Sequence, residues 1–118
     1  MSADPSSVHL YYRLVDAGDV DGLVALFSPT TIYRRPGYEP LVGRDALRAF
    51  YEGARVIEEG AHDVEHTVVG ADSVAVHGHF RGTLKDGSRV SLRFADFYTF
   101  DTDGLFATRD TFFFAPMV

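Results

Sequence analysis

The hydrophobic pattern of this chain changes period once, near residue 62, and that change restricts the fold more than any other feature. Before it, Val8, Tyr11, Tyr12 and Val15 fall at i, i+3, i+4 and i+7, one face of a helix that Pro5-Ser6-Ser7 can start and Gly18 can stop. Val20, Leu23, Val24 and Phe27 repeat the spacing after Asp19, a good N-cap, with Pro29 as the stop; Leu47, Phe50, Tyr51 and Ala54 repeat it again. A brief extended piece around Ile32-Tyr33-Arg34 and a turn-rich link through Pro36-Gly37-Tyr38-Glu39-Pro40 separate the second helix from the third. From His62 onward the residues alternate and become β-branched or aromatic, predicting strands over residues 62–70, 73–84, 89–100 and 105–114. Helices first and antiparallel strands second predict an α+β fold with the helices on one face of a curved sheet.

The 118 residues form one expected domain, 1–118, without repeats, linker or low-complexity segment. A net charge of -6 without a basic run argues against a nucleic-acid partner. With no cysteine there is no disulfide, thiolate zinc site or thiol nucleophile. The opening Met1-Ser2-Ala3-Asp4-Pro5-Ser6-Ser7 lacks the features of a signal peptide, and no stretch reaches membrane-spanning length, so a cytoplasmic location off the membrane is the expectation.

Turn residues set the expected register. A two-residue Asp86-Gly87 turn sets Thr83 opposite Val90, Arg81 opposite Leu92, His79 opposite Phe94 and His77 opposite Asp96. A three-residue Thr102-Asp103-Gly104 loop then sets Asp96 opposite Asp110, whereas a two-residue Asp103-Gly104 turn turns Asp110 outward. With the first choice, His77, His79, Arg81, Leu92, Phe94, Asp96, Tyr98, Thr108, Asp110 and Phe112 line a pocket. Val74, Val76, Phe80, Phe97 and Phe113 then form an apolar outer face suited to a homodimer. Asp96 is the most informative of these residues, because an acid in the middle of an aromatic-rich strand is costly to ionise without a partner. Either it serves chemistry, or it pairs with Arg109 or His77 in a satisfied polar cluster.

The runs Ala17-Gly18-Asp19-Val20-Asp21-Gly22-Leu23-Val24-Ala25-Leu26-Phe27, Gly43 to Tyr51, Phe94-Ala95-Asp96-Phe97 and Arg109-Asp110-Thr111-Phe112-Phe113 resemble the ketosteroid isomerase and SnoaL-like branch of the nuclear transport factor 2-like superfamily. The resemblance spans roughly residues 8 to 114 and implies a cone-shaped barrel of three N-terminal helices packed on a curved, mostly antiparallel sheet. Against ketosteroid isomerases it implies that Tyr11 and a protonated Asp96 form an oxyanion hole supported by Tyr51. The isomerase's general-base aspartate falls on Arg35, which cannot abstract a proton at neutral pH. Asp110 matches the second acid of limonene-epoxide-hydrolase-like members, whose arginine and first aspartate fall near His77 and His79. What remains resembles the SnoaL-like cyclases.

The expected activity is therefore cofactor-free and metal-free acid/base chemistry, a cyclisation, isomerisation or dehydration of a small, largely apolar carbonyl or polyketide-like substrate. Asp110 helped by His79 is the expected base or acid, and Tyr11 with Asp96 the oxyanion donors. Arg35, Tyr51, His62, His77, Phe94, Tyr98 and Phe112 are the expected substrate contacts, Arg35 clamping an anionic or carbonyl oxygen. The alternatives are an epoxide hydrolase-like enzyme, a non-catalytic small-molecule binding protein with the same pocket, and an interaction module working through the apolar outer face.

Overall fold

The computed structural model describes residues 3–114; Met1 and Ser2 of the opening stretch and residues 115–118 lie outside the described residues. The first periodic stretch forms α1 (Ser6–Asp16), with Val8, Tyr11, Tyr12 and Val15 all buried. Asp19 caps α2 (Val20–Val24) by accepting from the Gly22 amide at 2.9 Å. This helix is shorter than its spacing predicts, because β1 (Phe27–Arg34) begins at Phe27: the Phe106 amide donates to the Leu26 carbonyl and draws the chain into the sheet. Strand β2 (Leu41–Val42) leads into α3 (Gly43–Ala49), which runs on through a π-helical turn, Phe50–Ala54.

Four longer strands follow: β3 (Ile57–Val69), β4 (Ser73–Leu84), β5 (Arg89–Phe100) and β6 (Phe106–Phe113). The sheet order is β2-β1-β6-β5-β4-β3, antiparallel throughout except for the parallel pair β1–β6. Extra residues at Glu58 and Glu65 bulge β3 and bend the sheet. The buried core, including Val8, Tyr11, Leu23, Phe27, Leu47, Phe94, Tyr98 and Phe106, lies between its concave face and the helices. This is the expected α+β cone.

Close approach of backbones fixes the bend. A Cβ built on Gly78 would lie 2.1 Å from the Asp63 carbonyl oxygen, an atom held in the β3–β4 ladder. Gly78→Ala is therefore expected to force the two strands apart and cost about 1–3 kcal/mol, read as a lowered urea midpoint.

Both hairpins differ from the expected register by one residue. The first turn uses three residues, Lys85-Asp86-Gly87, with the Leu84 amide bonded to the Ser88 carbonyl and Gly87 at φ +87°. Arg81 consequently faces Ser91, His79 faces Arg93, His77 faces Ala95, and Val76 faces Asp96. The second tip is the expected Thr102-Asp103-Gly104 loop, closed by Asp101 and Leu105 with Gly104 at φ +77°. A bulge at Ala107 then shifts the pairing, so Asp110 lies opposite Phe97, and Thr111 opposite Asp96.

A one-residue slip reverses a whole strand face. His77, His79, Arg81, Thr108, Asp110 and Phe112 therefore belong to the convex side and not to the pocket. Conversely Val74, Val76 and Phe80 are buried inside and Phe113 packs against that core, which leaves Phe97 as the one member of the expected outer set that faces out.

Candidate active site

Two adjacent tyrosines on α1 enter the concave side with different partners. The Tyr12 hydroxyl donates to Asp96 Oδ2 and accepts from the Tyr98 hydroxyl at 2.9 Å. Tyr11 bonds the Tyr51 hydroxyl and accepts from Arg109 at 2.7 Å. Arg109 also reaches Tyr51 at 3.2 Å and Asp96 Oδ2 at 2.9 Å. Thr111 donates to Asp96 Oδ1, and the Tyr33 hydroxyl lies 3.1 Å from the Thr111 hydroxyl.

Asp96 and Arg109 are 0% and 3% exposed, so their ion pair is a buried one. Burial opposes the Arg109 charge most strongly, yet Asp96 together with the surrounding Tyr11, Tyr33 and Tyr98 outweighs it and holds the guanidinium well above its ordinary range. Three donors converge on the two Asp96 oxygens, the pattern of an acceptor-only carboxylate and not of an acid offering its proton. Of the two partners considered from sequence, Arg109 is the one found. In place of the expected oxyanion donor, the geometry shows Asp96 as the acceptor around which Tyr12, Arg109 and Thr111 are ordered. Burial raises the Tyr11, Tyr12, Tyr51 and Tyr98 phenols above their usual range, which keeps them protonated as donors.

His62, on β3, points inward and packs against Tyr12, Phe80 and Phe94, with ring centroids 5.1, 4.7 and 5.3 Å away. Its Nδ1 lies 2.7 Å from Asp16 Oδ1, while its amide donates to Asp16 Oδ2 at 2.9 Å. The second contact fixes the carboxylate, and the first selects the tautomer with hydrogen on Nδ1 and a lone pair on Nε2. Nε2 has no hydrogen-bond partner among the described residues. Burial lowers the His62 pKa, only partly offset by Asp16, so the neutral ring is favoured.

The polar network and His62 meet at a cavity of about 20 Å³, lined by Tyr11, Arg35, Arg55, His62, Asp96 and Arg109 together with Phe80, Phe94 and Phe113. That space holds about one water, so a substrate enters only as side chains part. A neighbouring pocket of about 360 Å³ shares Arg55 and Ile57 with it and is bordered by Tyr51 and Asp16.

Of the residues singled out from sequence, Tyr11, Asp96, Arg35, His62 and Phe94 line the cavity, and Tyr51 and Tyr98 hold its network. Asp110 is instead clasped by Arg34 on the convex side, at 2.8 and 3.0 Å. His79 bonds Ser91 and His77 bonds Arg93, both outside; Phe112 is 55% exposed. Among the described residues no cluster of three histidines or acids could hold a metal ion. Sequence reasoning missed Tyr12, Asp16, Arg55 and Thr111. The pair Arg109-x-Thr111 carried a usable signal, since strand alternation places them together on whichever face Asp110 leaves.

The sequence profile described as SnoaL-like domain matches residues 8–108. No curated protein sequence matches the chain. Among solved structures, SalBIII, an epoxide hydrolase/cyclase-like enzyme in pyran ring formation in polyether salinomycin, is similar at 25% identity and TM-score 0.81, covering 92% of this chain and 88% of that one. An NTF2-like protein of unknown function from Burkholderia pseudomallei is 20% identical with TM-score 0.84, covering 92% and 88%. The Mycobacterium tuberculosis protein RV0760c, in complex with estradiol-17beta-hemisuccinate, is 18% identical with TM-score 0.84, covering 99% and 98%.

Proposed function

This chain belongs to the SnoaL-like domain family of the nuclear transport factor 2-like superfamily, and from that premise we propose that its cavity performs proton-transfer chemistry on a small, largely apolar carbonyl or polyketide-like substrate. The observation that carries the reading is the Asp16–His62 pair: His62 lines a cavity walled by phenols and guanidinium groups, and its Nε2 is unbonded among the described residues. Nε2 takes a proton from the carbon next to a carbonyl, Asp16 stabilises the resulting imidazolium, and the developing enolate oxygen accepts from Tyr11. Tyr51 donating to Tyr11, with Arg109 donating as well, leaves the Tyr11 proton free for that oxygen. The imidazolium then returns the proton to another carbon in isomerisation, or to a departing hydroxyl in dehydration; in cyclisation the enolate carbon attacks a second carbonyl, whose C=O π bond opens and whose oxygen takes the proton back from the imidazolium. Asp96 acts through Tyr12, Thr111 and Arg109 and is a positioning residue.

A panel of 1,3-dicarbonyl and hydroxyaryl ketone compounds incubated in deuterium oxide tests this by NMR. Enzyme-dependent deuterium uptake at the α-carbon, lost in His62→Gln, is expected. Saturable binding with no exchange supports the non-catalytic binding protein instead. The likeness to SalBIII supports a second substrate for the same dyad, a hydroxyl that gives its proton to Nε2 and attacks an epoxide carbon, the ring C–O bond breaking as the imidazolium returns the proton to the epoxide oxygen.

A homodimer belongs to this reading. Phe97 and Phe112 are 51% and 55% exposed, stack edge to face at 5.7 Å on the convex sheet, and have the Arg34–Asp110 pair beside them, a surface that a second copy can cover with its own. Sedimentation should show a dimer at micromolar concentration and a shift toward monomer in Phe97→Asp; a monomeric parent protein would exclude it.

A further inference from the structure

Three arginines meet at the cavity, and their charges do not balance. Arg109 is neutralised by Asp96. Arg35 and Arg55 have no carboxylate within ion-pairing range among the described residues, although the whole chain carries 17 acids against 11 basic residues. The buried side-chain polar atoms lacking a hydrogen-bond partner among the described residues are Arg35 Nε, Arg55 Nε and Arg109 Nε, one from each of these side chains. Buried donors are rarely left unbonded, and three at one cavity mark a place prepared for acceptors.

The Arg35 guanidinium is held in an aromatic cage. Its centre lies 5.1 to 6.0 Å from the rings of Phe50, Tyr38, Phe113 and Tyr33, and one terminal nitrogen donates to the Tyr33 hydroxyl at 3.1 Å. The rings crowd it on several sides, and its Nε, which lacks a partner among the described residues, leaves part of the fork that matches a carboxylate still unbonded. Arg55 lies over the Tyr51 ring at 5.5 Å and borders both the cavity and the larger adjoining pocket. That pocket carries Asp16, Glu52, Glu58 and Glu59 against Arg55 and Lys85, so an anionic group finds its favourable charge at the arginines of the cavity and not among these acids.

We propose that the substrate is an anion, bearing a carboxylate that Arg35 and Arg55 clasp at the inner end of the cavity, with the reacting carbonyl held toward His62. This rests on the reading of the cavity as a substrate site. It narrows the substrate from a neutral carbonyl compound to an aryl or polyketide acid, and it gives Arg35 and Arg55 a specificity role rather than one in proton transfer.

The test is calorimetric titration of the full chain with 2-naphthoate and with its neutral isostere 2-naphthamide at low ionic strength. The acid is expected to bind roughly tenfold or more tightly than the amide, the gain expected from charge-assisted bonds in a sheltered site. That preference should weaken with added salt, fall in Arg55→Gln, and vanish in the Arg35→Gln Arg55→Gln pair while the amide still binds. His62→Gln should keep the preference intact while losing α-proton exchange, which separates failure of the anion site from failure of the acid/base reading. Equal affinities for acid and amide, a preference that survives the double substitution, or no saturable naphthoate binding at millimolar concentration would each overturn the proposal. Circular dichroism of the variants guards against a misfolded protein, and Arg35→Lys, which retains charge without the fork, should restore only part of the preference.

Discussion

Asp96→Ala is expected to destabilise the fold by about 3–5 kcal/mol, a large share of the stability of a domain this size. The cost arises less from the lost attraction than from what stays behind. Arg109 is 3% exposed and keeps its charge at neutral pH, because a guanidinium is not deprotonated in a protein. Tyr12 and Thr111 would also lose the acceptor that holds them. Removing both charges together, in Asp96→Leu Arg109→Met, is expected to cost less than Asp96→Ala alone, because no unpaired charge is then buried. Urea unfolding at neutral pH measures both. A loss below about 1 kcal/mol for Asp96→Ala would mean that water reaches Arg109 and that the pair is not the structural centre of the site.

His62→Gln is expected to reduce catalysed α-proton exchange by about 10²–10⁴-fold, the range for loss of a positioned general base. Asp16→Asn should fall in the same direction but less far, because the imidazole remains while its tautomer and its imidazolium lose support. Asp110→Asn should leave exchange unchanged, since that carboxylate lies on the convex side. The pH profile carries a second signature. The base works only when neutral, and burial lowers the His62 pKa below the ordinary imidazole value of 6.5, so exchange should persist into mildly acidic solution before its acid limb falls. The same shift gives stability a sign. The unfolded ring binds a proton more readily than the folded one, so the His62 contribution is complete above about pH 6.5 and is lost as pH falls through the lower folded value. His62→Gln should remove that segment of the stability profile. An acid limb that stays in place in His62→Gln would assign the base elsewhere.

The identity of the longer helices and strands was determined by the sequence, because periodicity records which face of an element is buried, whereas the two-residue β2 and the switch from helix to strand at Phe27 left no such record. The position of Asp96 inside was equally legible: aromatic neighbours Phe94 and Tyr98 at alternate positions share its face, and all three are buried. Tyr11 was legible on the same ground, as part of a helical stripe whose every member is buried.

What only the tertiary structure decided is which residues meet Asp96. One extra residue in the Lys85-Asp86-Gly87 loop and one bulge at Ala107 turned His77, His79, Asp110 and Phe112 outward, and brought Arg109 and Thr111 in. Turn residues restrict the loop types available, but a bulge is selected by the packing of both faces, and sheet curvature decides which face gains. The Asp16–His62 pair lay beyond sequence reasoning for a related reason. Its members are 46 positions apart on a helix end and a bent strand, and no local pattern links them. Their distance is set by how α1 crosses the concave face, a property of the packed core as a whole. Individual side chains were thus readable from their own neighbours in the chain, whereas the site is a set of distances between elements, and those exist only once the sheet has curved and closed over the helices.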